Sequence, residues 1–309
     1  MKNPETYINS LRYGIFPMHI VVTIPAYNEE RTLGKVLADV QAAMHQQRAR
    51  FTLLVVDDGS KDRTAAIAKA AHARVVRHPK NYGLAETFRT EMQECLRLKA
   101  DVIVHLDADG QYQAEDIPKL LDKIAEGYDL VLGSRFLGTI ESMPRLKRWG
   151  NRAFSCVISS ITGMRITDAQ TGFRAFTREV AKIPMTSNHT YTQEQAIRAI
   201  REKHRVAEVP VHFAVRNGKS RLIKHPFEYA VRAWVNILRI YRDYKPLTFF
   251  GAAGGIIFGA GLLLGLFAFV SWLATGRVGG VPRVVLSGVL LLVGIQIILF
   301  GFLADMIRQ

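Results

Sequence analysis

The chain has 309 residues, 49% of them hydrophobic, and a formal charge of +14; it can bury a sizeable core and is too apolar and too regularly patterned for a disordered segment. Cys95 and Cys156 stand apart without Cys-x-x-Cys spacing, which argues against a disulfide framework or a cysteine zinc site and suits a reducing compartment. The cations call for a polyanionic partner, and their crowding from Arg198 to Lys245, ahead of the first long apolar segment and without an aromatic-interleaved platform, favours an anionic membrane surface over nucleic acid.

Residues 1–18 have neither a continuous apolar run nor a small-residue cleavage pattern, so they read as an extension and not as a signal peptide. From His19 short apolar runs alternate with helical segments: HIVVTIP and a helix from about Asn28, FTLLVV and a helix after Asp62, then ARVVRH, DVIVHL and DLVLG. This alternation predicts an α/β domain over 19–224, a Rossmann-like, mainly parallel sheet with covering helices. Ligands of such sheets bind beyond the carboxyl ends of the strands, where the chain reads PAYNEE, DDGS, HPKNYG, DADGQ and GSR.

Over 225–246, Phe227, Val231, Trp234, Leu238 and Tyr241 recur at helical spacing with Arg232, Arg239 and Arg242 between them. That is the pattern of an amphipathic helix lying on a bilayer, and equally of one packed on the preceding domain. The last part, 247–309, holds two uncharged stretches, about 247–274 and 284–304. Each exceeds the roughly 20 residues that span a bilayer, and the short linker predicts a hairpin. Excess positive charge before Leu247 predicts that this side, with the α/β domain, lies in the cytoplasm, leaving Arg277 and Arg283 across the membrane.

Asp107 and Asp109 follow the run VIVHL, and two carboxylates so spaced at a strand end suit Mg²⁺ or Mn²⁺ bridging a diphosphate. His105, His189, His204 and His212 share no ligand spacing and read as structural.

Taken in order, PAYNEE, VVDDGSKDRT, NYGLAETFR, LDADGQ, GSR and TDAQTGFRAF resemble family 2 glycosyltransferases of the GT-A fold, from about His19 to Arg221. More narrowly they resemble dolichyl-phosphate mannose synthases and bacterial polyprenyl-phosphate glycosyltransferases. The resemblance implies that Pro25, Ala26, Tyr27 and Glu29 line the nucleoside pocket, that Asp57 accepts hydrogen bonds from base or ribose, and that Lys80 lies near the nucleotide. Asp58, Gly59 and Ser60 read as a turn and helix start. Asp107 and Asp109 would hold the metal, with Gln111 as a third ligand or a partner of one. Arg135, directly after DLVLG, would face the acceptor phosphate, with Arg148 beside Lys147 in a loop covering the site. Lys147 itself reads as a surface cation. Asp168, Gly172, Phe173 and Arg174 resemble the loop closing over sugar and acceptor, with Asp168 a catalytic candidate and Arg174 a phosphate ligand. Arg216, Gly218, Ser220 and Arg221 resemble the stretch reaching back to the diphosphate.

The implied activity is inverting, metal-dependent transfer of a hexose, mannose or glucose, from a nucleotide diphosphate sugar such as GDP-mannose or UDP-glucose to polyprenyl or dolichyl phosphate. Many family members carry an acidic pair that deprotonates a sugar hydroxyl; here the corresponding stretch reads YTQEQAIRA, with Glu194 alone. A phosphate acceptor is already anionic and needs positioning more than a base. Two alternatives stand beside this one: transfer to a hydroxyl of a lipid-linked saccharide or glycolipid, with Glu194 or Asp168 as base, and an inactive membrane scaffold of the same fold. A homo-oligomer is compatible with the sequence and not required by it.

Overall fold

The computed structural model describes residues 18–47, 49–185, 191–215, 226–276 and 280–308. The chain divides into two compact units between Pro226 and Phe227.

The first unit is built on seven strands in the order β3-β2-β1-β4-β6-β5-β7: β1 His19–Ala26, β2 Arg50–Asp57, β3 Arg74–Arg77, β4 Val102–His105, β5 Leu130–Ile140, β6 Arg174–Thr177 and β7 Val206–Phe213. Every pairing is parallel except those of β6, which runs against both β4 and β5. The sheet is therefore mostly parallel and mixed. Ile20–Ala26 are buried along their whole length, as a central parallel strand covered on both faces requires. The covering helices are α1 Leu33–His45, α2 Thr64–Ala70, α3 Leu84–Arg97, α4 Ile117–Ala125, α5 Arg145–Thr162, α6 Arg178–Ala181 and α7 Tyr191–Arg201. In α1, Leu33, Val36, Leu37, Val40 and Met44 make one buried stripe at helical spacing and join the core with Ile24, Val55, Val104 and Leu106.

Several boundaries differ from the sequence expectation. The first helix begins at Leu33 and not near Asn28, because Asn28 has a left-handed φ of 53° and the preceding turn is tied to the next one. There, Asn28 N–H donates to Ser60 Oγ at 2.8 Å, Glu29 N–H to Thr64 Oγ1 at 2.9 Å and Glu30 N–H to Asp62 Oδ2 at 3.2 Å. β5 continues past DLVLG to Ile140, with a register irregularity between Ser134 and Thr139, so Arg135 lies inside the strand. Arg148 and Lys147 belong to the first turns of α5 and not to a loop: Arg148 N–H donates to Pro144 O at 3.0 Å. β6 and β7 were not anticipated.

The second unit contains α8 Pro226–Tyr244, α9 Pro246–Thr275 and α10 Val281–Arg308. In α8 Trp234, Leu238, Arg239 and Arg242 are exposed. Both α9 and α10 are long and apolar enough to cross a bilayer and are largely exposed, unlike helices of a soluble core. They pack through small residues: a Cβ added to Gly254 would stand 2.7 Å from the Gly294 carbonyl oxygen, and Ser287 Oγ donates to Gly261 O at 2.8 Å. Such close backbone approach is how membrane helices associate.

Candidate active site

At the carboxyl ends of β1, β2 and β4 a cavity of about 440 Å³ is lined by Pro25, Ala26, Tyr27, Glu29, Asp58, Asn81, Gly83, Leu84, Thr87, Asp107, Ala108 and Asp109. The end of β1, the turn after β2, the start of α3 and the aspartate pair after β4 thus meet at one opening. Asp107 and Asp109 are both partly exposed. Asp109 Oδ1 accepts from Gln111 N–H at 3.1 Å, and Gln111 Nε2 donates to Ala214 O at 3.2 Å.

The two aspartates ending β2 take opposite parts from those expected. Asp57 is fully buried: its Oδ1 accepts from Ser60 N–H at 2.9 Å, and its Oδ2 lies 3.1 Å from Arg77 Nε. It does not line the cavity. Asp58 does, and it also fixes the wall: Oδ1 accepts from Tyr82 N–H at 2.8 Å, Oδ2 from Gly83 N–H at 2.9 Å, and His78 Nδ1 lies 2.8 Å from Oδ1. Lys80, expected near the nucleotide, is exposed with Nζ 5.7 Å from the Tyr82 ring centre, while its neighbour Asn81 reaches the cavity. Asn81, Leu84 and Thr87 were not singled out from sequence; their signal was the Gly83 turn opening an amphipathic helix in NYGLAETFR.

Arg135 is nearly buried and faces Asp168, not an open phosphate site. Its Nε and Nη2 donate to the two Asp168 oxygens at 2.6 and 2.7 Å, a bidentate pair. Burial disfavours its cation, yet the hydrogen-bonded Asp168 carboxylate and the nearby Asp107 outweigh this and raise its pKa. The Asp168 loop is in turn held by Glu208 of β7, which accepts from Thr167 N–H at 2.9 Å and Asp168 N–H at 3.0 Å. Burial pushes the Tyr112 phenol up to about 12, so it stays protonated at neutral pH.

Arg174 corrects the expectation of a phosphate ligand. It is 0% exposed, and its guanidinium donates to Thr192 O at 3.1 Å, Gln195 Oε1 at 2.9 Å and Thr171 O. It therefore clamps the 171 loop to α7. Arg148 is exposed on α5. Glu194 is buried in α7 with Oε1 2.8 Å from Arg198 Nε. His204 and His212 lie beside Asp129 and Glu141. Arg216, Gly218, Ser220, Arg221 and His189 fall outside the described residues.

Residues 21–183 match the model of glycosyl transferase family 2. The chain belongs to that family. Among curated relatives, a dolichyl-phosphate hexose transferase of Haloferax volcanii is 39% identical over 66% of this chain and 86% of its own length. An undecaprenyl-phosphate 4-deoxy-4-formamido-L-arabinose transferase of Shewanella sediminis is 30% identical over 94% of this chain and 87% of its own, so that likeness extends into the apolar helices. Among solved structures, glucosyl-3-phosphoglycerate synthase of Mycobacterium tuberculosis, in complex with Mn²⁺, UDP-glucose and phosphoglyceric acid, superposes with a TM-score of 0.58 at 20% identity over 74% of this chain and 83% of that one. That likeness carries the GT-A fold. As a family 2 member the chain is an inverting glycosyltransferase.

Proposed function

We propose that this glycosyltransferase moves a hexose, mannose or glucose, from a nucleoside diphosphate onto polyprenyl phosphate at the cytoplasmic membrane surface. The observation that carries the reading is the single cavity in which the 25–29 turn, the 81–87 wall and the Asp107–Asp109 pair converge. Relatives acting on dolichyl and undecaprenyl phosphate support the acceptor.

Pro25, Ala26, Tyr27, Glu29 and Asn81 would surround the nucleoside, with Asp58 in the place first given to Asp57. Arg216 and Arg221 would reach the diphosphate. Asp107 and Asp109 suit Mg²⁺ or Mn²⁺, which takes one or two carboxylates and completes its shell with water and substrate phosphates. Gln111, its amide nitrogen engaged with Ala214, would offer Oε1. The bound ion would neutralise the departing nucleoside diphosphate.

The chain's own groups favour a phosphate acceptor over a hydroxyl. The two carboxylates offered as bases are committed elsewhere, Asp168 to Arg135 and Glu194 to Arg198. An anionic phosphate needs orientation and charge neutralisation only. Arg148, exposed on α5, is the cation we assign to that phosphate, and the Arg135–Asp168 pair holds the adjoining strand and loop.

The test gives the full-length protein in detergent Mn²⁺, labelled GDP-mannose or UDP-glucose, and either polyprenyl phosphate or unphosphorylated polyprenol. Label should enter the lipid phase only with the phosphate, and a chelator should stop it. Transfer to polyprenol, with none to the phosphate, would overturn the reading.

A further inference from the structure

A chain of polar groups runs through the otherwise apolar interior between β1, α3 and β4. Glu91 and His105 are both 0% exposed. The Thr23 hydroxyl donates to Glu91 Oε1 at 2.9 Å, and Glu91 Oε2 lies 3.2 Å from His105 Nε2. On the other side of the ring, His105 Nδ1 is 2.6 Å from the Gly172 carbonyl oxygen. A carbonyl oxygen only accepts, so Nδ1 carries the hydrogen. The Phe88 ring stands edge-on to the imidazole at 5.4 Å and limits its rotation.

Gly172 is also the wall behind Asp107. A Cβ at position 172 would fall 2.9 Å from Asp107 Cγ and Oδ1, so a side chain there would displace the carboxylate. The Gly172 N–H donates to the Tyr112 hydroxyl at 3.2 Å. Its carbonyl is held by His105, its amide by Tyr112, and the Asp107 carboxylate rests against what lies between.

We propose that Glu91 and His105 are a positioning pair: through the Gly172 carbonyl they fix the wall that keeps the Asp107 carboxylate oriented for a divalent cation. The inference rests on the metal reading of Asp107 and Asp109 given above. An apolar pair of similar volume could fill the same space. It would leave the Gly172 carbonyl without its donor and the wall free to shift. Partners that orient a ligand in this way typically change metal affinity by about 10- to 100-fold.

The experiment measures Mn²⁺ binding to the full chain by titration calorimetry, with UDP and with GDP in separate arms, alongside thermal unfolding. Two double variants are compared with wild type. Glu91→Leu/His105→Leu removes the donor, whereas Glu91→Gln/His105→Asn keeps an amide nitrogen where Nδ1 was and an acceptor for Thr23. The apolar double should stay folded, unfolding somewhat earlier than wild type because the buried Thr23 hydroxyl and Gly172 carbonyl lose their partners, yet bind Mn²⁺ about tenfold or more weakly. The amide double should stay within about threefold of wild type, and metal-free binding of nucleoside monophosphate should be unchanged in both. Equal Mn²⁺ affinity in the apolar double and wild type would overturn the proposal, as would an equal loss in both doubles. Should the apolar double fail to fold, the amide double decides: retained affinity supports the pair and lost affinity overturns it. A wild type that binds no Mn²⁺ in either arm would instead overturn the metal reading, and the proposal with it.

Discussion

Asp58 spends its carboxylate on the backbone N–H groups of Tyr82 and Gly83, so its charge holds one wall of the cavity in place. Hydrogen bonds to a charged acceptor contribute about 1.5–3 kcal/mol each. Asp58→Asn should therefore raise the donor KM by roughly tenfold while kcat stays within about threefold, read from initial rates at saturating lipid phosphate. A fall in kcat with KM unchanged would place Asp58 in the chemical step instead. Glu194→Gln should alter transfer to polyprenyl phosphate by less than about threefold, because its carboxylate serves Arg198 and the acceptor needs no base. A severe loss of kcat in that variant would revive the hydroxyl acceptor. At this scale the Asp107–Asp109 pair was legible, since a strand end fixes where two carboxylates one residue apart must point. The choice between Asp57 and Asp58 was not, because neighbouring residues differ only in which side of the β2 end they face. Arg174 misled for a related reason: a cation in a polar stretch reads as exposed until a strand buries it.

Among the elements, the turns after β1 and β2 are laced together by Asp62, just before α2. Burial opposes ionisation of Asp62, but hydrogen bonds from the Thr64 hydroxyl, the Thr64 N–H and the Glu30 N–H outweigh it and hold its carboxyl below the ordinary range. An aspartate with a depressed folded pKa contributes stability that is fully present above its unfolded value, about 3.9, and is lost as pH falls through the folded pKa. Asp62→Asn should cost about 1 kcal/mol near neutrality, and the difference from wild type should shrink as pH falls below about 4. Thermal unfolding of both proteins across that range checks it; a constant difference would show that charge is not the cause. β1, β2 and β4 were legible because buried parallel strands are unbroken apolar runs. β6 has four residues inside a polar loop, and β7 carries Pro210, which a strand tolerates here because β7 is a sheet edge. Neither gives a run that stands out by periodicity.

For the whole molecule, every described residue of the cavity precedes the division between Pro226 and Phe227. A chain ending after about Lys245 should fold and bind nucleoside diphosphate sugar with an affinity near that of the full protein. It should also bind anionic vesicles weakly and leave them as salt rises, through a helix with Trp234 and Leu238 exposed beside Arg239 and Arg242. A truncated chain that aggregates without binding donor would make the apolar helices part of the catalytic core. The two apolar helices were legible from length and composition alone; their contact through Gly254 and Gly294 was not, since glycines occur on every side of α9. In the proposed reaction a sugar carbon becomes bonded to a lipid phosphate oxygen. Proton and phosphorus NMR of the purified lipid product tests it most directly: the anomeric proton should couple to phosphorus, with a configuration opposite to that of the donor. An anomeric proton without phosphorus coupling, or with the donor's configuration retained, would contradict the account.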